Sequence, residues 1–224
     1  MDRISRKEIR DAVLNETTHT RELFLAAFPA ATEEFTARLA DVYDHLADLD
    51  NVLPRDTRTA WVQAFMFSSS NSLLTSFHLL IRGFLIPAGN LMRHWSEGLS
   101  MALLCCDSRI ASFRILEANP TRFPVQKATD LVMRKNNAQI LGINKRAWLK
   151  FQQINDLYQK YSHASAFSLA SMFMMSREGG VIIGSEFDHG KLKAYDKEIK
   201  LRTSACTLLL NAATIIEQHL MRAH

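Results

Sequence analysis

The stretch from Pro87 to Cys106 constrains the fold of this chain more than any other part of the sequence. Proline suits the first turn of a helix, because the N–H group that it lacks would be unpaired there. At about 100° per residue, the large apolar residues of the stretch gather on one broad face. These residues are Leu91, Met92, Trp95, Leu99, Leu103 and Cys106. A face this broad needs several covering elements, so the stretch predicts a central helix that begins after a break near Gly83.

Few residues elsewhere can make turns, since only 8 glycines and 5 prolines occur among 224 residues. This scarcity favours a small number of long helices. Apolar periodicity and the capping and breaking residues predict helices over 4–27 (with an interruption at Thr17 and Thr18), 31–49, 56–82, 87–106, 109–117, 125–139, 145–163 and 191–222. The Met-rich residues 164–176 are predicted to pack in the core. Strand character is confined to residues 177–190, which predict a short hairpin or an ordered loop near 179–190.

The pattern therefore predicts an all-α fold, a multi-helix bundle forming one domain over residues 1–224. A chain of this length can bury a sizeable core. Residues 56–222 are predicted to form the main body of the bundle. Residues 1–55 would form N-terminal helices, either as an integral layer or as a docking arm.

The sequence favours a cytoplasmic protein that does not enter a membrane. The opening residues, MDRISRKEIRD, lack the apolar segment of a signal peptide. No run of 18 apolar residues occurs, so no membrane span is predicted. The three cysteines, Cys105, Cys106 and Cys206, have no metal-ligand spacing, which predicts reduced and mostly buried thiols.

Charge is distributed unevenly along the chain. Residues 1–60 hold 8 Lys and Arg against 12 Asp and Glu, a balance of −4, whereas residues 61–224 hold 19 against 11, a balance of +8. Much of the basic excess lies within residues 109–150. Such a block would attract a polyanion such as RNA or a phosphorylated ligand, but a solvated basic helix surface has the same composition.

The central helix also carries a line of polar residues opposite its apolar face: Asn90, Arg93, Glu97 and Ser100, with His94 at the edge. Arg93 and Glu97 are four residues apart and can pair along the helix. If this pair is solvent-exposed, it is worth only a few tenths of a kcal/mol. If it is buried, Glu97 is the partner that the Arg93 guanidinium requires.

A second polar stretch ends the helix predicted over 145–163. It contains Tyr158, Tyr161, Ser162 and His163. The positive form of a histidine is favoured near a helix C-terminus. His163 is therefore either a general acid or base or a cap for the last carbonyl groups. The common phosphate-binding, zinc-ligating and serine-nucleophile motifs are absent from the sequence.

These two stretches, LMRHWSEGLSMALL and DLYQKYSHAS, resemble bacterial proteins of the HEPN superfamily over about residues 60–220. The resemblance implies an all-α bundle, often a homodimer, of the kind found among toxin–antitoxin and phage-defence proteins. Active HEPN proteins are metal-independent ribonucleases without a cofactor. By position, Arg93 and His163 would be catalytic here, and Glu97 would orient Arg93. Residues expected to bind RNA in the same cleft are Asn90, Tyr158 and Ser162. Expected partners are RNA and a cognate antitoxin or defence protein.

The sequence departs from the family in one respect. Active members carry an arginine and a histidine separated by four to six residues, and the only such pair here is Arg38 and His45. The helix predicted around that pair is acidic, which suits RNA poorly. Two functions are therefore compatible with the sequence. One is an RNA-directed enzyme, and the other is a non-catalytic helical module that dimerises or binds a protein or a nucleotide-like ligand.

Overall fold

The structure is a computed structural model that describes residues 6–14, 17–119, 127–161, 166–176, 182 and 184–222, with the backbone alone at Glu8, Asp11 and 166–168. The described residues form eleven α-helices and no β-strand, which confirms the all-α prediction. The helices are α1 (Arg6–Leu14), α2 (Thr18–Ala27), α3 (Pro29–Val52), α4 (Thr57–Leu80), α5 (Leu85–Cys105), α6 (Ser112–Ala118), α7 (Ala128–Val132), α8 (Lys135–Leu141), α9 (Lys145–Gln159), α10 (Ala166–Ser171) and α11 (Leu192–Arg222). A 3₁₀ turn, His189–Lys191, leads into α11.

Helices α4 and α5 form an antiparallel hairpin at the centre of the fold. Gly83 makes the turn between them with φ = 84°, a conformation that glycine adopts without strain. Ser69 and Ser76 donate side-chain hydrogen bonds of 2.8 and 2.7 Å to backbone carbonyls of α5. The small serine side chains of α4 therefore serve close packing between the two helices, which explains why a central helix is rich in polar residues.

The other long helices cover this hairpin. Helix α11 packs against α3, α4, α5 and α9, and α7 and α9 pack against α5. Trp95 is fully buried in α5, and its ring contacts that of Phe151 in α9. Two of the helices have a side-chain cap at their N-terminus. Asp56 accepts a hydrogen bond from the Thr59 backbone N–H at the start of α4, and Asn144 accepts one from the Ala147 N–H at the start of α9. A capped start of this kind stabilises a helix by about 1 kcal/mol.

Two expectations from the sequence were wrong. The helix predicted over 125–139 is two helices among the described residues, because the backbone of Arg134 is extended between them. The Asn137 amide donates to the Leu131 carbonyl and so caps the end of α7. The Met-rich residues after α9 do not pack in the core, since Leu169, Met172, Phe173 and Met175 are all exposed. The end of this segment is fixed at the surface of the fold by its backbone, because Met175 and Ser176 donate backbone hydrogen bonds to the buried Asp188.

Residues 179–181 and 183 of the predicted hairpin near 179–190 lie outside the described residues, and residues 182 and 184–188 form no strand. By length and composition alone, the stretch His189–Arg222 could cross a membrane. Half of that stretch's most apolar window is buried inside the protein, and the core helix of a globular protein passes the same test. This is weak evidence for a span.

Asp107 connects the C-terminal ends of α5 and α11. Its carboxylate accepts hydrogen bonds from the Arg109 side chain (Nη2 at 2.6 Å) and backbone N–H (2.8 Å), and it lies 2.7 Å from His219 Nδ1. The hydrogen bond from the Arg109 side chain is the main cause that lowers the pKa of Asp107 from 3.8 to about 2. Because the folded pKa lies below the unfolded one, this contribution to stability is complete above about pH 4. It is lost as the pH falls through 2.

Asp107→Asn is therefore expected to lower the free energy of unfolding by about 1–2 kcal/mol at neutral pH, a value discounted because Arg109 is largely exposed. Urea unfolding at several acidic pH values should also show a shallower loss of stability in the variant between pH 4 and 2. Asp44→Asn, an exposed carboxylate in α3, is the matched control. Equal acid dependence of Asp107→Asn and the unchanged protein would contradict this account.

Candidate functional site

The predicted pair of Arg93 and Glu97 forms on α5. Arg93 Nε lies 3.0 Å from Glu97 Oε1, and the side chains are 27% and 15% exposed. The pair is thus partly buried and does not belong to a fully solvated surface. Between the two, Ser96 donates to Arg93 O at 2.8 Å, and its hydroxyl lies 3.1 Å from Asn155 Oδ1 of α9.

Only part of the polar line predicted on this helix is accessible to solvent. Asn90 is exposed, whereas Ser100 is fully buried and donates to the Ser96 carbonyl. Ser100 is therefore part of the helix packing and does not extend the face that carries Arg93. The accessible part of the line runs from Asn90 to Glu97, about two helical turns.

His94 lies beside Arg93 and is oriented by a hydrogen bond. Its Nδ1 is 2.8 Å from Ser72 Oγ, and Ser72 Oγ also lies 2.8 Å from the Ser68 carbonyl, to which it donates. A hydroxyl has one proton, so His94 Nδ1–H must donate to Ser72 if both bonds are kept. The ring is exposed, and its Nε2 is then the nitrogen that could accept a proton from a ligand.

Tyr158, predicted to bind RNA, is buried in the core instead. Its side chain is fully buried, and its hydroxyl donates to Glu198 Oε2 at 2.7 Å. Tyr161 donates to the other carboxylate oxygen of Glu198 at 2.8 Å. Burial raises the pKa of both tyrosines, so both hydroxyls are neutral donors. Tyr158 is therefore a structural residue that ligands do not reach from solvent.

A second Arg–Glu pair, absent from the predicted site, completes this cluster. Arg202 is fully buried in α11, and its Nη1 lies 2.6 Å from Glu198 Oε2 and 3.1 Å from the Tyr158 hydroxyl. Its Nε donates to Ser76 of α4 at 3.0 Å. The buried cluster of Ser76, Tyr158, Tyr161, Glu198 and Arg202 thus joins α4, α9 and α11. The i, i+4 spacing of Glu198 and Arg202 is visible in the sequence, but four lysines lie in the same stretch and give it the composition of a solvated helix face: Lys191, Lys193, Lys197 and Lys200.

The end of α9 lies against α5 close to Arg93. A side chain at Gly89 would overlap the Tyr161 ring, so the two residues are in direct contact. Gly89 lies about one helical turn before Arg93. Ser162 and His163, the remaining predicted site residues, lie outside the described residues, and they follow Tyr161 directly in the sequence.

The other histidine candidate lies apart from this cluster, on α3. Arg38 is exposed and His45 is partly buried, with its Nε2 buried and without a hydrogen-bond partner. Among the residues that the structure describes, no group of three or more His, Cys, Asp or Glu side chains could hold a metal ion. All three cysteines are buried and unpaired, and burial raises the pKa of Cys105 and of Cys206 to about 12.

Comparison of this chain with protein-family models, curated proteins and solved structures finds no match. The resemblance to HEPN proteins therefore stays a prediction from the two sequence stretches.

Proposed function

We propose that this protein is a cytoplasmic, RNA-directed HEPN-like enzyme, a metal-independent endoribonuclease acting as a homodimer in a toxin or phage-defence system. One observation supports it most. The contact between Tyr161 and Gly89 brings the end of α9 to the part of α5 that carries Arg93. The two stretches that carry the HEPN resemblance are thus neighbours in space as well as similar in sequence.

In the proposed reaction, His163 takes the proton from a ribose 2′-OH, and the resulting alkoxide attacks the adjacent phosphorus. The 5′-oxygen leaves and takes up a proton from water, so the products are a 2′,3′-cyclic phosphate and a 5′-hydroxyl. Arg93 stabilises the charge that develops on the phosphate oxygens, and Glu97 holds the guanidinium in place. Because RNA supplies its own nucleophile, the reaction needs no metal and does not cleave DNA.

The test is incubation of the purified protein with total tRNA and with mRNA in EDTA. We expect cleavage that falls at least a hundredfold in His163→Ala, since a positioned acid or base contributes about 10²–10⁴-fold. His19→Ala, an exposed histidine in α2, should retain activity with an unchanged melting temperature. His94→Ala is included because His94 lies beside Arg93. Loss of cleavage in His94→Ala but not in His163→Ala would show that His94 is the general base instead of His163. Cleavage that requires magnesium would refute the mechanism.

A non-catalytic module that dimerises, or that binds a protein or a nucleotide-like ligand, is the second candidate. It is favoured by the charge balance at the site, because Glu97 neutralises Arg93 at 3.0 Å. Absence of cleavage by the unchanged protein, together with a dimer or a stable complex in solution, would support this function instead.

A further inference from the structure

A groove of about 850 Å³ lies at the other end of α9 from Tyr158. One wall is the first turns of α9, and the other is the middle of α11. Arg146 and Tyr158 are twelve residues apart on α9, so the Arg146 end of the groove lies roughly 18 Å along the helix from the buried cluster. Gln153, at the other end of the groove, is about 8 Å along the helix from Tyr158. None of the residues that line it belongs to the Arg93 site described above.

The groove is positively charged. Lys145, Arg146 and Lys150 line it, and no lining residue is acidic. None of the three cations forms an ion pair with a carboxylate in the part of the chain that the structure describes. Arg146 and Lys150 are four residues apart and therefore extend from one face of α9, about 6 Å apart along its axis. This separation is close to that between successive phosphates of an RNA strand.

The facing wall offers uncharged hydrogen-bonding groups. Ser204, Thr207 and Asn211 follow one another at helical spacing on α11. Ser204 already donates to the Lys200 carbonyl, whereas Thr207 and Asn211 have no side-chain partner among the described residues. A hydroxyl and an amide are common donors to phosphate and ribose oxygens.

The groove lacks the aromatic rings on which bases stack. None of its lining residues is aromatic, so no ring is present on which a base could stack. The apolar cavity that adjoins it at Ala147 and Leu208 measures only about 50 Å³, which is too small for a nucleobase. The chemistry of the groove therefore fits a sugar–phosphate backbone better than a nucleotide held by its base.

We propose that this groove binds the phosphate backbone of an RNA strand, without regard to sequence, and holds the strand whose other part reaches Arg93. The proposal rests on the proposed RNA-directed function and adds a substrate-docking site to it. In this arrangement Lys145, Arg146 and Lys150 neutralise successive phosphates. Thr207 and Asn211 donate to phosphate or ribose oxygens from the opposite wall.

Binding is tested separately from cleavage with a labelled 2′-O-methyl RNA oligonucleotide, whose blocked 2′-oxygen prevents attack on the phosphate. The variant is Lys145→Gln, Arg146→Gln and Lys150→Gln combined. We expect binding at least tenfold weaker at low salt. We also expect the slope of log K against log salt to shrink by about 2, since each phosphate contact in a single strand contributes about 0.7.

A variant with the same change in net charge is the matched control. Arg6→Gln, Lys7→Gln and Arg10→Gln combined removes three exposed cations from α1, and it should change neither the affinity nor the slope appreciably. An equal loss of affinity in both triple variants would show that net charge alone attracts RNA, which would overturn the proposal that the groove binds it. Displacement of the RNA by ADP at an equal concentration of phosphate groups would overturn it too, because a small ligand site would then be present.

The outcomes separate this proposal from the proposed function. If RNA binding depends on the groove but unmodified RNA is not cleaved, the groove is supported as a binding site and the ribonuclease function is rejected. If the unchanged protein cleaves unmodified RNA but the groove variant binds RNA normally, the ribonuclease function is supported and the groove is rejected as a binding site.

Discussion

Replacing Arg202 with alanine is expected to lower the free energy of unfolding by about 3–5 kcal/mol. The guanidinium is fully buried, and it lies 2.6 Å from Glu198 and 3.0 Å from Ser76. Removing it leaves the Glu198 carboxylate buried without its cationic partner. The two tyrosine hydroxyls that still donate to Glu198 compensate only in part. Urea or thermal unfolding followed by circular dichroism measures the loss.

The chain provides its own control for this experiment, because Arg93 and Glu97 are also an Arg–Glu pair four residues apart. That pair is partly exposed, so Arg93→Ala is expected to cost about 1 kcal/mol or less. The comparison sets a fully buried pair with further hydrogen-bond partners against a partly exposed pair. Comparable losses in Arg93→Ala and Arg202→Ala would contradict the assignment of Arg202 as structural and of Arg93 as available for function.

The coupling free energy between Glu198 and Arg202 is a second measurable property of the buried cluster. Glu198→Ala combined with Arg202→Ala removes both charges, so no unpaired ion remains. The double variant should therefore lose at least 1 kcal/mol less stability than the sum of the two single losses. Additive losses would show that Glu198 and Arg202 stabilise the fold independently, against the geometry of the cluster.

Where local signals decide the structure, the sequence predicts it well. The interruption at Thr17, the turn at Gly83 and the extent of α5 all follow from turn residues and apolar periodicity, and the structure confirms them. Thr18, also predicted to interrupt the helix, is instead the first residue of α2. The pairing of Arg93 with Glu97 is of the same kind, since two side chains four residues apart on a helix are neighbours in any fold.

Where contacts between residues far apart in the chain determine the structure, the sequence alone does not predict it. The backbone at the end of the Met-rich segment is fixed by the buried Asp188, which accepts hydrogen bonds from Met175 and Ser176, thirteen and twelve residues before it. The burial of Tyr158 depends on Glu198, forty residues later. An arginine as buried as Arg202 also contradicts ordinary hydropathy. Its position becomes evident only when α4, α9 and α11 are assembled around it.

Substituting alanine for Gly89 is expected to have the other large effect, a loss of about 2–3 kcal/mol despite the higher helix propensity of alanine. A Cβ atom at this position would overlap the Tyr161 ring. The ring has little room to move, because Tyr161 is buried and its hydroxyl is bound to Glu198. Denaturant unfolding measures the loss, and the contact between α5 and the end of α9 is the feature being tested.

Gly98→Ala is the matched control, since it makes the same substitution in the same helix. Its Cβ would lie 3.3 Å from Ser69 Cβ, a tight contact that small shifts can relieve, so we expect a change within about 1 kcal/mol in either direction. Combining Gly89→Ala with Tyr161→Ala should cost less than the sum of the two single losses, because the ring that clashes is then absent.

Gly89→Ala also bears on the proposed function. If the end of α9 contributes His163 to a site shared with Arg93, shifting Tyr161 displaces that histidine, and cleavage should fall even under conditions in which the variant remains folded. Gly98→Ala leaves the Tyr161 contact intact and should cleave normally. A folded Gly89→Ala variant with full activity would show that the contact between α5 and α9 supports the fold alone.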